Sequence, residues 1–276
     1  DLQEYIVGLR RDLHQIPELG LHLPETAAYV TTELDKIGIP YICSKKDSGI
    51  IATIKGGKPG KTICLRADMD ALPIKEETGL PFASRHEGFM HACGHDIHTA
   101  MLLTAARMLK EDEDHLHGTV KLMFQSAEEI FKGANDMIEH GILDHPRPDA
   151  AMAYHMMIGK NQVGTYMYNA GGIMMNSVDE FKITIHGKGT HGAYPHQGID
   201  PINIGVHIHL ALQELISREA NPQDICTLTI GKFNAGSAAN IIPESAILQG
   251  TLRTNNVSTR ENILFSYQLI KKENLP

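Results

Sequence analysis

His91-Ala92-Cys93-Gly94-His95-Asp96-Ile97-His98 places a thiol, three imidazoles and a carboxylate within eight positions, directly before the Ala- and Leu-rich run from Thr99 to Leu109. The run reads as a helix, so the polar stretch is the loop that enters it, with His98 in the first turn. A packed core asks for no such cluster, whereas cysteine thiolate and neutral imidazole are the ligands that borderline metals such as zinc prefer. Gly94 leaves no side-chain bulk between Cys93 and His95, so both can turn toward one point.

Outward from this stretch, apolar runs repeatedly deliver similar chemistry at their C-terminal ends. Ile50-Ile51-Ala52-Thr53-Ile54 and Thr62-Ile63-Cys64-Leu65 read as two strands joined by the turn from Lys55 to Lys61, with Cys64 in the core. The turn is not a phosphate loop: Gly56 and Gly60-Lys61-Thr62 have three residues between the glycines where that motif needs four. The second strand runs into Arg66-Ala67-Asp68-Met69-Asp70-Ala71-Leu72-Pro73, whose aspartates alone read equally well as turn formers. Val120, Leu122 and Phe124 alternate with polar residues as in a strand, which leads to Ser126-Ala127-Glu128-Glu129. If the backbone turns there, one of the two acids is free to bind a metal while its neighbour takes a proton. After a short helix from Gly133 to Glu139, the apolar strand Ala150-Ala151-Met152-Ala153-Tyr154 ends in His155. Open α/β sheets bind their ligands at strand C-terminal ends, so the repetition argues for one shared site.

The flanking segments read as packing elements. Leu2, Ile6, Leu9, Leu13 and Ile16 recur at helical spacing until Pro17, and a second helix starts at Pro24 and ends before Gly38. His14 lies beside the first apolar stripe with no partner nearby in sequence, and stays outside the candidate site. From Asp179 the pattern becomes β-α-β-β-α: alternating Phe181, Ile183 and Ile185, a loop from Gly187 to His196, a helix from Pro201 to Arg218, strands around Leu228 and Leu248, and a helix from Ser258. This is the order of a small, separately built sandwich, and the boundary falls near Ser177, giving domains 1–177 and 178–276.

With 276 residues, 42% of them hydrophobic and 21% charged, the chain is ordinary globular material, long enough for one large core or two modest ones. A formal charge of −8 without any Lys/Arg-rich run argues against a nucleic-acid footprint or an anionic membrane surface. No apolar run approaches membrane length, and Asp1-Leu2-Gln3-Glu4 has neither part of a signal peptide, so a cytoplasmic setting is expected. Cys43, Cys64, Cys93 and Cys226 are scattered without paired spacing, which argues against a disulfide framework.

Together these residues resemble the metal-dependent aminoacylase and amidohydrolase family of metallopeptidases, which includes hippurate hydrolases and indole-acetyl-amino-acid hydrolases. The resemblance covers nearly the whole chain. It rests on Asp12-Leu13-His14 with Pro17-Glu18-Leu19, Arg66 to Pro73, His91 to His98, Phe124 to Glu129, His155, Gly187 to His196, Asn240-Ile241-Ile242-Pro243 and Gly250-Thr251-Leu252-Arg253-Thr254.

The resemblance implies an α/β fold: a mixed-sheet di-metal hydrolase domain with an inserted ferredoxin-like α+β domain that serves as lid and dimer contact. It implies two divalent metal ions, zinc or manganese with cobalt or nickel as alternatives, held by Cys93, His95, Glu129 and His155. Asp68 would lie just behind these ligands, and Glu128 would be the base that moves the proton of the attacking water. His191 would reach across a homodimer to the reacting carbonyl, while Asn240 and Arg253 would hold a substrate carboxylate, a task suited to a guanidinium fork. The implied reaction is hydrolysis of acetyl-, benzoyl- or indole-acetyl-amino acids. The rivals are an N-acetyl-diaminopimelate deacetylase, a dipeptidase, or a metal-binding homologue without turnover, against which the retention of Glu128 speaks. Two departures stand out: Ser126 replaces a proline common in relatives, and the family's further metal-binding histidine, supplied after the lid, has no match here. These 276 residues alone are therefore expected to bind metal incompletely.

Overall fold

Asp1 caps the first helix, α1 (Leu2–His14), its carboxylate accepting the Gln3 N–H at 3.0 Å in the computed structural model, which describes residues 1–159 and 161–273. The expected apolar stripe is realised only in part: Leu9 and Leu13 are buried, whereas Leu2 in the first turn is exposed. Pro24 starts α2 (Pro24–Ile37) and Gly38, in the left-handed region at φ 78°, ends it.

The sheet of the first unit runs β1 (Tyr41–Cys43), β2 (Ile50–Lys55), β3 (Lys58–Asp68), β4 (His117–Gln125) and β5 (Ala150–Ala153), with α3 (His95–Glu111) and α4 (Gly133–Glu139) between strands. Its spatial order is β1-β2-β4-β3-β5; β2 is antiparallel to β1 and β4, while β3 is parallel to β4 and β5. The sheet is therefore mixed. The turn expected to join β2 and β3 as neighbours instead lets β4 in between them. The glycines there make room: Gly56 donates to the Gly118 carbonyl at 2.8 Å, and a Cβ on Gly56 would stand 2.5 Å from the Leu116 carbonyl oxygen.

Leu9, Leu13, Val30, Leu34, Ile54, Leu103, Leu122 and Phe124 form the main core, in which α1, α2 and α3 share one face of the sheet. A smaller cluster of Ile51, Cys64, Met137 and Ile142 lies elsewhere on the sheet, so Cys64 is core as expected. The alternation read for β4 is incomplete, because Lys121 is buried as well. Its ammonium donates to the main-chain oxygens of Ile142 and Asp144, each at 2.6 Å, which ties the chain after α4 to the sheet.

The chain parts into two compact units between Gln162 and Val163, inside a stretch after β5 whose described residues form neither helix nor strand. The second unit begins its secondary structure at Ser177 with β6 (Ser177–His186), followed by β7 (Thr190–His191), α5 (Pro201–Glu214), β8 (Cys226–Ala235), β9 (Ile241–Ile242), β10 (Ser245–Thr254) and α6 (Val257–Glu273). β6, β10 and β8 form an antiparallel sheet in that order, and β7 pairs with β9. Asp200 caps α5 by accepting from the N–H groups of Ile202 and Asn203, and Ile183, Ile185, Ile208, Leu212, Leu248 and Ile263 close a separate core.

Candidate metal centre

Because β4, β3 and β5 are parallel neighbours, their C-terminal ends lie side by side. β3 ends at Asp68, with Asp70 beyond it; β4 leads into Glu128 and Glu129; β5 leads into His155. The loop that carries Cys93 enters α3 at His95 over the same edge. Gly94, at φ 92° and ψ 18°, is the left-handed residue before the helix, a conformation that a side chain would strain. At the end of β4 the turn is made by Ala127, also left-handed at φ 53°. This turn brings the two acids round to the side of His95.

His95 is the centre of the arrangement and is 0% exposed. Its Nε2 has carboxylate oxygens of Glu129 at 3.6 Å, Asp68 at 3.7 Å and Glu128 at 3.9 Å, and its Nδ1 has Asp70 at 3.5 Å. Neither ring nitrogen makes a hydrogen bond, nor does the buried Oε1 of Glu129. Cys93 and His155 close the other side, Sγ to Nε2 at 3.4 Å. Donor atoms of Cys93, His95 and His155 lie within 4.8 Å of one another, as do those of His95, Glu128 and Glu129, and those of Asp68, His95 and His98. Four carboxylates and a thiol thus crowd one buried imidazole.

The electrostatics follow from that crowding. Burial, reinforced by the Glu129 and Glu128 charges, pushes the Cys93 thiol up to about 12. Burial likewise raises Glu128, with Asp68 and Glu129 adding like-charge repulsion. Burial works to lower His95, but the Asp70 and Asp68 carboxylates standing beside the ring outweigh it and raise the imidazole. For Asp68 burial pushes upward, yet the His98 hydrogen bond together with His95 and Arg66 brings it down to about 2. A divalent cation fits this donor set: sulfur, imidazole nitrogen and carboxylate oxygen converge on buried atoms without partners, and positive charge would relieve the repulsion.

Two residues that sequence reasoning passed over belong here. Asp70, buried, accepts the N–H groups of Glu128 and Glu129 at 3.0 Å each, so one carboxylate orients the acidic pair and faces His95. His98 is buried against Asp68, with Nδ1 at 2.6 Å from Oδ1. Its spacing of three from His95 on one helix was a usable signal, since such residues share a face. His14, set aside for want of a partner, has two: Asp96 at 2.7 Å and Glu76 at 3.3 Å. It braces the residue next to His95 rather than joining the cluster.

The remaining candidates lie in the second unit. His191 in β7 is exposed and pairs across to Ile241; its Nδ1 accepts the Ala193 N–H at 3.1 Å. The Asn240 carbonyl accepts the Gly192 N–H at 2.7 Å, which sets Asn240 next to the residue after His191, and His191 itself lines a cleft of about 660 Å³ with Gly236, Ser237 and Ser245. Arg253 sits at the far end of β10 from Ser245, ~27 Å away along an extended strand, and pairs with Val178 and Thr227. Within one chain, therefore, Asn240 and Arg253 are not brought together.

Comparison with known proteins places this geometry in a lineage. The sequence pattern of peptidase family M20/M25/M40 matches residues 64–259. The chain is 44% identical over 270 residues to an N-acetyl-L-cysteine deacetylase of Bacillus subtilis, covering 95% of this chain and 62% of that protein. It is 42% identical over 253 residues to an IAA-amino acid hydrolase of Arabidopsis thaliana, covering 92% of this chain and 57% of that one. The chain thus spans about three fifths of the length of these relatives. Among solved structures, a dinuclear metal-binding peptidase of the M20 family from Bacillus subtilis superimposes with a TM-score of 0.78 at 34% identity, covering 99% of this chain and 70% of that one. The chain belongs to peptidase family M20/M25/M40.

Proposed function

We propose that the chain carries the metal centre of a two-metal amidohydrolase that cleaves the amide bond of N-acyl amino acids. The observation that supports this most is the convergence of Cys93, His95, Glu128, Glu129 and His155 at the ends of parallel strands, in a chain similar to deacetylases and amino acid conjugate hydrolases. In this reading Cys93, His95, Glu129 and His155 hold two divalent cations; thiolate, imidazole and carboxylate together suit zinc or manganese, with cobalt or nickel as alternatives. When bound, the cations supply Lewis acidity toward the amide carbonyl and toward water. Asp68 stays ionised behind them, paired with Arg66 at 2.7 Å.

Glu128 takes the proton of the attacking water and delivers it to the departing amine nitrogen. Its raised pKa suits a group that must both accept and release that proton near neutral pH. Residues 178–276 act as lid and dimer domain, a ferredoxin-like role that suits three antiparallel strands with two helices. There His191 stabilises the reacting carbonyl, and Asn240 and Arg253 hold the substrate carboxylate. Asn240 lies before β9 and Arg253 near the C-terminal end of β10, an arrangement that favours a homodimer in which two copies contribute to each site. Four free cysteines suit a reducing, cytoplasmic setting. Among the described residues no helix is long and apolar enough to cross a membrane.

Metal analysis followed by hydrolysis assays on acetyl-, benzoyl- and indole-acetyl-amino acids, N-acetyl-diaminopimelate and free dipeptides tests the proposal. Cleavage of the N-acyl amino acids with bound metal is expected. Cleavage of free dipeptides alone would overturn the substrate class, and bound metal without any turnover would make the protein a binder.

A further inference from the structure

His155 follows the short strand β5 and is itself exposed, so the strand alone does little to aim its ring. What aims it is a chain of contacts through the next residue. His155 Nδ1 lies 2.7 Å from the Met156 carbonyl oxygen, which can only accept; the proton is therefore on Nδ1, and the Nε2 lone pair faces Cys93. The N–H of the same Met156 donates to His98 Nε2 at 2.9 Å. That nitrogen must carry a lone pair, so the His98 proton is on Nδ1, where it is donated to Asp68 at 2.6 Å. Asp68, an anion paired with Arg66, is an acceptor only. Each of the three hydrogen bonds that link Asp68, His98, Met156 and His155 has one permitted direction. His98 is 3% exposed, and its ring stands 4.8 Å from that of His155.

The grouping of Asp68, His95 and His98 also admits His98 as a ligand. The geometry argues against it, because both ring nitrogens are already committed. We propose instead that His98 is a positioning residue: it holds the Met156 peptide, and through it the tautomer and aim of His155. The inference rests on the reading of His155 as a metal ligand. Partners of this kind behind a ligand are worth about 10- to 100-fold in metal affinity.

Cobalt(II) titration, followed by the visible bands and the thiolate charge-transfer band from Cys93, tests this on wild type, His98→Phe, His98→Gln and His155→Ala. Phenylalanine keeps the ring volume without hydrogen bonds, whereas glutamine keeps a donor and an acceptor. The expected result is that His98→Phe weakens one cobalt by about tenfold or more, that His98→Gln stays within about threefold of wild type, and that His155→Ala loses that cobalt. If His155→Ala loses the metal while His98→Phe binds like wild type, the positioning role is overturned and the ligand reading survives. If His155→Ala binds both metals normally, the ligand reading fails and the inference with it. Should His98→Phe fold poorly, His98→Leu takes its place: a loss of about tenfold or more in His98→Leu with His98→Gln within about threefold of wild type upholds the role, and equal binding by the two overturns it.

Discussion

Asparagine at position 70 would keep the shape of the Asp70 side chain and remove its ability to serve two donors. Each carboxylate oxygen accepts one main-chain N–H, from Glu128 and from Glu129, at 3.0 Å, and the carboxylate faces His95 Nδ1 at 3.5 Å. In Asp70→Asn one of these acceptors becomes an NH2 group that meets an N–H. The lost bond was charge-assisted, worth about 1.5–3 kcal/mol, and the surviving one drops to neutral strength, about 1 kcal/mol weaker, so the fold should lose about 2.5–4 kcal/mol. The same change loosens both the acidic pair and the orientation of His95, which should cost about 10- to 100-fold in metal affinity. Urea unfolding of the metal-free protein followed by circular dichroism measures the first effect, and zinc competition with a chelator the second. Stability within about 0.5 kcal/mol of wild type, with affinity within about twofold, would refute the idea that Asp70 organises the site.

Two further outcomes are expected. Because the Cys93 thiol is pushed up to about 12 yet must bind as thiolate, zinc binding near neutral pH should release at least about one proton, and Cys93→Ser should bind more weakly and release fewer. Calorimetry in buffers of different ionisation heat measures this, and equal release from both proteins would remove Cys93 from the ligand set. The second concerns His14, whose pKa the Asp96 hydrogen bond raises above 6.5. Burial pushes the Asp96 carboxyl up, but the His14 hydrogen bond and the Arg10 charge work against it and hold it low, so Asp96 stays ionised across this range. A raised imidazole pKa stabilises the fold fully below about pH 6.5, and that contribution is lost as pH rises through the folded-state value. The stability gap between wild type and His14→Gln should therefore shrink as pH rises beyond about 6.5, and a gap independent of pH would contradict the pairing.

Much of this centre was legible in the sequence, for a physical reason. Strand ends are marked by the change from apolar runs to Asp68, to Glu128-Glu129 and to His155, and parallel strands bring their ends together without any knowledge of partners. Pairing itself was not legible. β2 and β3 are adjacent in sequence with a glycine-rich turn between them, yet β4 lies between them in space, because register is decided by contacts far apart in the chain. The same distance hid His14 and His98. Their carboxylate partners, Asp96 and Asp68, stand 82 and 30 residues away, and a histidine beside an apolar stripe carries no local sign of its partner. Asp70 was hidden differently: it reads as a turn former until the N–H groups it accepts, 58 and 59 residues on, are seen.

In the proposed function Glu128 moves a proton at a metal centre built by its neighbours. Measuring metal content and N-acetyl amino acid hydrolysis side by side for wild type and Glu128→Gln tests it most directly, since the amide keeps the shape and cannot take the proton. Metal stoichiometry should be unchanged and kcat lower by about 100-fold or more, whereas full metal content with a kcat within about tenfold of wild type would remove Glu128 from that role.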